Sequence, residues 1–90
     1  MSERHLRLLL IEDSADDAEL IARALRRAGY TLDVVRVESD ATLRDALGTD
    51  TFDLAITDHE LRFFDSRDVL EILRAMAPDL PCLLVSGKVG

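Results

Sequence analysis

Apolar residues fall along this chain in two rhythms. Short uninterrupted runs alternate with stripes at helical spacing. Leu8-Leu9-Leu10-Ile11 is the first run, and it ends abruptly in Glu12-Asp13. A run without polar alternation predicts a strand covered on both faces, as in a parallel sheet. Ser14-Ala15-Asp16-Asp17 then reads as a helix start, with Ser14 as N-cap and an acidic first turn. Ala18, Ile21, Ala22, Leu25 and Ala28 continue at helical spacing, and Gly29 is placed to end that helix.

Leu32 to Val37 is the second strand candidate. It carries Asp33 and Arg36 and so suits a sheet edge. Ser39 predicts the cap of a short helix holding Leu43, Ala46 and Leu47, with Gly48 after it. Phe52 to Asp58 forms a third strand that again ends in a carboxylate. Asp65 or Ser66 caps a third helix, with an expected buried stripe of Val69, Leu70, Leu73 and Met76. Pro78 and Pro81 bracket the turn after it. Cys82-Leu83-Leu84-Val85 is a fourth apolar strand, leading into Ser86-Gly87.

The order is β-α-β-α-β-α-β. Strands joined through helical segments of about 10–15 residues imply right-handed crossovers and a parallel sheet. The first, third and fourth strands are apolar on both sides, and the second is half polar. The expectation is an open, doubly wound α/β fold with strand order 2-1-3-4.

Composition narrows the class. The 90 residues suit one domain, 1–90, with 48% hydrophobic and 32% charged residues. That mixture is globular, neither disordered nor membrane-spanning. The formal net charge of −7 leaves no basic stripe for direct nucleic-acid binding. Cys82 is the single cysteine, so no internal disulfide forms and a reducing cytoplasm is expected. The apolar run near the N-terminus is too short for a signal peptide or a membrane span.

In an open parallel sheet, ligands bind beyond the carboxyl ends of the strands at the switch in strand order. Here that switch lies between the first and third strands, which end in Glu12-Asp13 and Asp58. Neighbouring strands lie about 4.8 Å apart, so these carboxylates should converge. Clustered carboxylates cannot all ionise cheaply without a cation. Oxygen-only ligands that leave room for water suit Mg²⁺. Such an ion can bridge a phosphoryl group, and an aspartate beside it can become an acyl phosphate. The plainer reading of Glu12-Asp13 is a solvated strand end that caps the next helix, but Asp58 on the adjacent strand favours the metal reading.

These residues match a known pattern. Leu9-Leu10-Ile11-Glu12-Asp13, Ile56-Thr57-Asp58 followed by Leu61, Phe64 and Asp65, and Leu84-Val85-Ser86-Gly87 together resemble the receiver domain of two-component response regulators. The likeness runs over nearly the whole chain. It implies a flavodoxin-like fold, with Asp58 as phosphoacceptor and Glu12 and Asp13 as the acidic pair that positions Mg²⁺. It also implies that Glu60 supplies a backbone carbonyl to the metal and that Ser86 is the switch hydroxyl. Phosphate would come from a sensor histidine kinase or a phosphotransfer protein, making the chain a non-enzymatic phosphoprotein in a phosphorelay.

The chain departs from that pattern in places. Arg62 stands where the family usually has proline, and Ser66 where it usually has glycine. The family's fifth strand, which carries a phosphoryl-contacting lysine, has no counterpart here, so the receiver is expected to be incomplete at its C-terminal side. Lys88 does not match that lysine and reads as a loop residue. A fourth strand left at the edge, uncharged from Cys82 to Val85, predicts pairing with a second copy.

His5 and His59 read as surface residues, and Cys82 as a small core residue. One ring of Phe63-Phe64 is expected under the third helix, the other as a partner contact. Asp13, Asp16, Asp17 and Glu19 form an acidic face around that site, read either as helix-dipole complement on a soluble surface or as a metal pocket with a kinase-docking surface. Two competing functions remain beside the switch. One is a non-switching interaction or dimerisation module. The other is a metal-dependent phosphohydrolase built on Asp58-His59-Glu60, for which 90 residues leave little room for a substrate pocket.

Overall fold

The computed structural model describes residues 4–58 and 66–85. Seven elements follow one another: β1 (Arg4–Ile11), α1 (Ala15–Arg27), β2 (Tyr30–Val37), α2 (Asp40–Thr49), β3 (Leu54–Asp58), α3 (Ser66–Met76) and β4 (Cys82–Val85). All strand pairings are parallel and the sheet order is β2-β1-β3-β4. The fold is the open α/β arrangement expected from the alternation of runs and stripes.

The period of two along β1 divides the core. Leu8 and Leu10 face Ala18 of α1, with Ile21 and Leu25 packed against them. Leu9 and Ile11 face the other way, onto Leu43 and Ala46 of α2 and Val69, Ile72 and Leu73 of α3. One helix therefore covers one face and two cover the other, so β1 is buried on both sides from Leu8 to Ile11.

Capping sets the helix ends. The Ser14 hydroxyl accepts the Asp17 N–H at 3.3 Å, starting α1 just past the end of β1. Gly29 ends that helix at φ 100°, a backbone region that only glycine enters cheaply. Ser39 and Thr42 form a reciprocal capping box at the start of α2.

Several boundaries differ from expectation. β1 begins at Arg4 and β2 at Tyr30, because the two strands stay paired from Arg4↔Tyr30 to Ile11↔Val37. Gly48 lies inside α2 rather than after it. The helix continues to Thr49, whose hydroxyl donates to the Asp45 carbonyl at 3.0 Å. β3 begins at Leu54: the Asp53 N–H still donates to the Arg7 carbonyl at 2.8 Å, but the Arg7 N–H turns to the Asp53 carboxylate at 2.9 Å. On α3 the buried residues are Val69, Ile72 and Leu73. Ile72 is 3% exposed, whereas Leu70 is 37% and Met76 41%. Leu70 sits about 100° round the helix from Val69, off the face that meets the sheet. β4 is also less covered than β1, with Leu83 53% and Leu84 51% exposed on opposite sides of the strand.

Candidate metal and phosphoacceptor site

The strands deliver acidic side chains to one place. Ile11 pairs with Thr57, so the next residues, Glu12 and Asp58, leave the sheet side by side at its carboxyl end. Glu12 is 2% exposed and Asp58 5%; with Thr57 they are the buried polar side chains among the described residues. Burial of two carboxylates is costly unless a proton, a hydrogen bond or a cation compensates.

Asp17 completes the group. One carboxylate oxygen from each of Glu12, Asp17 and Asp58 lies within 4.8 Å of the others. Asp17 is the third residue of α1 after the Ser14 cap. A side chain at that position reaches back over the helix N-terminus, and here the N-terminus of α1 faces the end of β1. The sequence puts Asp17 in the acidic first turn and acidic face around the site without marking it as a ligand. Its spacing from the Ser14 cap was the signal that could have put it in the site. Asp13, half-buried, is a further acidic neighbour of the Glu12 carboxyl.

The electrostatics follow from this crowding. The Glu12 carboxyl is pushed from an ordinary 4.5 up to about 7. Burial is the largest cause; the Ser14 N–H, donating to Oε1 at 3.0 Å, pulls the other way, and the neighbouring Asp58 and Asp13 add to the rise. Burial and the acidic neighbours therefore favour the protonated form of Glu12. A hard divalent cation would take the place of that proton, and an all-carboxylate donor set fits Mg²⁺.

Of the other expected site residues, Glu60 and Ser86 lie outside the described residues, as do His59, Phe63, Phe64, Asp65 and Lys88. His5 is exposed on β1 and contacts Thr31 at 2.9 Å and Asp33 at 3.0 Å, far from the acidic ends in register. Cys82 is half-buried, and burial raises its thiol pKa. No helix among the described residues is long and apolar enough to cross a membrane.

No family model matches the chain. It is 28% identical over 81 residues to the response regulator receiver protein CpdR of Brucella abortus strain 2308, a match covering 90% of this chain. The chain spans 66% of that relative's length. The non-phosphorylated HemR receiver domain from Leptospira biflexa is 26% identical and superposes with a TM-score of 0.68, over 93% of this chain and 66% of that one. The MaeR response regulator bound to beryllium trifluoride superposes with a TM-score of 0.76 at 19% identity, over 93% of this chain and 69% of its own.

Proposed function

We propose that this chain is a receiver domain of the response-regulator kind and works as a phosphoryl-accepting signalling switch with Asp58 as the acceptor, a reading its likeness to CpdR and the HemR receiver supports. The observation that carries this reading is the convergence of Glu12, Asp17 and Asp58 at the carboxyl ends of β1 and β3. A carboxylate oxygen of Asp58 attacks the phosphorus of a phosphohistidine. The P–O bond forms as the P–N bond breaks, and the released imidazole nitrogen takes a proton. Mg²⁺, when bound, offsets negative charge on the transferring phosphoryl group. Glu12, Asp13 and Asp17 would hold it beside Asp58, with the Glu60 carbonyl as a further ligand. Ser86 then serves as the hydroxyl that meets the phosphoryl group.

The donor would be a sensor histidine kinase or a phosphotransfer protein, and the setting the cytoplasm. The description of CpdR as a response regulator receiver protein supports the donor reading, and the beryllium trifluoride bound to MaeR suggests a useful probe.

The test is intact mass after incubation with a small acyl-phosphate donor, with and without Mg²⁺. The wild-type chain should gain one phosphoryl group only with Mg²⁺, and Asp58→Asn should gain none. Equal uptake by a folded Asp58→Asn would remove Asp58 as acceptor. Turnover of a phosphomonoester would revive the phosphohydrolase reading.

A second reading, an interaction module that pairs with a second copy, rests on the uncharged β4 edge and the half-exposed Leu83 and Leu84. Sedimentation showing a folded monomer at micromolar concentration would exclude it.

A further inference from the structure

The loop that carries Glu12 is held from β2 by a residue to which the acceptor reading gives no part. Arg36 pairs in register with Leu10, two residues before Glu12. Its Nη1 donates to the Glu12 backbone carbonyl at 3.1 Å and to Glu38 Oε2 at 3.3 Å. On the other side of the same residue, the Glu12 N–H donates to the Val37 carbonyl at 3.0 Å. The Glu12 main chain is thus fastened at both its donor and its acceptor, and both fastenings come from the end of β2.

This is more than a surface ion pair. The Arg36–Glu38 contact alone is partly exposed and weakly stabilising. The bond to Glu12 is different, because it ends on a part-buried carbonyl within the site loop. That carbonyl belongs to the peptide joining Glu12 to Asp13. Its orientation decides where the Glu12 side chain leaves the main chain and where the Asp13 carboxylate and the Ser14 cap begin. A guanidinium suits the task because it stays charged and its planar fork serves two acceptors at once.

We propose that Arg36 is a positioning residue for the divalent-cation site, fixing the Glu12–Asp13 peptide through the Glu12 carbonyl. The proposal rests on the cation-dependent acceptor reading and deepens it. Two effects of Arg36 on cation binding oppose each other. Its charge repels Mg²⁺, whereas its hydrogen bond preorganises the ligands. The charge is partly exposed and screened by solvent, so preorganisation prevails.

The experiment titrates Mg²⁺ into the full chain and follows the Asp13 amide by nuclear magnetic resonance. Wild type, Arg36→Met, Arg36→Lys and Glu38→Gln are compared. Arg36→Met keeps much of the apolar stem and loses the donor. It should weaken Mg²⁺ about tenfold and shift the Asp13 amide before any metal is added. Arg36→Lys, which can still donate to the carbonyl, should recover most of both. Glu38→Gln should leave both near wild type.

An Arg36→Met chain that binds Mg²⁺ as well as wild type, or more tightly, would overturn the proposal, as would a wild-type chain that binds no Mg²⁺. Weakened Mg²⁺ binding in Arg36→Met, with no phosphoryl uptake by wild type, would support the positioning role while removing the acceptor reading.

Discussion

Glu12 and Asp58 bring carboxylate oxygens within 4.8 Å of each other inside the protein, one from the end of β1 and the other from the end of β3. Both are nearly fully buried. Two carboxylates so placed cannot both ionise at low cost. In the metal-free chain the compensation is a proton retained on the Glu12 carboxyl. A divalent cation offers a stronger one. Cation affinity and metal-free strain therefore arise from the same crowding.

This crowding gives stability a pH dependence of definite sign. The Glu12 carboxyl titrates at about 7 in the folded chain, against an ordinary 4.5. Between those values the folded chain keeps a proton that the unfolded chain has released. Metal-free stability must then fall as pH rises through this window, with a slope of at most about 1.4 kcal/mol per pH unit from this group. Urea unfolding in chelator from about pH 5 to about pH 8 checks it. Glu12→Gln should flatten the decline, and excess Mg²⁺ at the alkaline end should restore stability to the wild type. An equal slope in Glu12→Gln would assign the decline to other groups.

Asp17 separates metal binding from folding. Its carboxylate lies with those of Glu12 and Asp58, while its backbone N–H belongs to the Ser14 cap. Asp17→Asn keeps the cap and removes one charge from the cluster. The loss at the helix N-terminus costs roughly 0.5 kcal/mol, and relief of carboxylate repulsion offsets it. Metal-free melting should stay within a few degrees of wild type, while calorimetry should show Mg²⁺ bound about tenfold more weakly. Unchanged Mg²⁺ affinity would place Asp17 outside the ligand set.

The parts legible in the sequence were those set by local chemistry. The Leu8–Ile11 run, the caps at Ser14 and Ser39 and the glycine at Gly29 each carry a signal within a few residues. Strand order followed from which runs were interrupted by charge, as Asp33 and Arg36 interrupt β2. What stayed hidden depends on tertiary geometry. Asp17 joins the site only because α1 begins directly over the end of β1. The exposure of Leu83 and Leu84, by contrast, fits the bare edge expected for the fourth strand. On α3, Leu70 and Ile72 are both aliphatic, and only the helix phase against the sheet tells them apart.

That phase can be tested by truncating each side chain. Ile72 is buried among Leu9, Val69 and Leu73, whereas Leu70 is half open to solvent. Ile72→Ala should cost about 2–4 kcal/mol. Leu70→Ala should cost under about 1 kcal/mol, because much of its surface is already wet. Urea midpoints of the two variants decide it. A larger loss at Leu70 would mean that α3 is rotated from the orientation described.

The same substitution at two glycines should move stability in opposite directions. At neither Gly29 nor Gly48 would an added Cβ meet another atom within 4 Å, so steric room does not distinguish them. Backbone conformation does. Gly48 lies within α2, where alanine is favoured over glycine by about 0.5–1 kcal/mol. Gly29 stands at φ 100°, where a Cβ costs roughly 1–2 kcal/mol. At Gly29 replacing glycine lowers the entropy of the unfolded chain, a gain of about 0.4–1 kcal/mol, a gain already contained in the helix preference at Gly48. At Gly29 the strain exceeds that gain; at Gly48 nothing opposes it. For a domain of this size about 1 kcal/mol shifts the melting temperature by roughly 4–8 °C. Gly48→Ala should therefore melt several degrees above wild type and Gly29→Ala several degrees below. A rise in both would show that the chain leaves α1 without the left-handed turn.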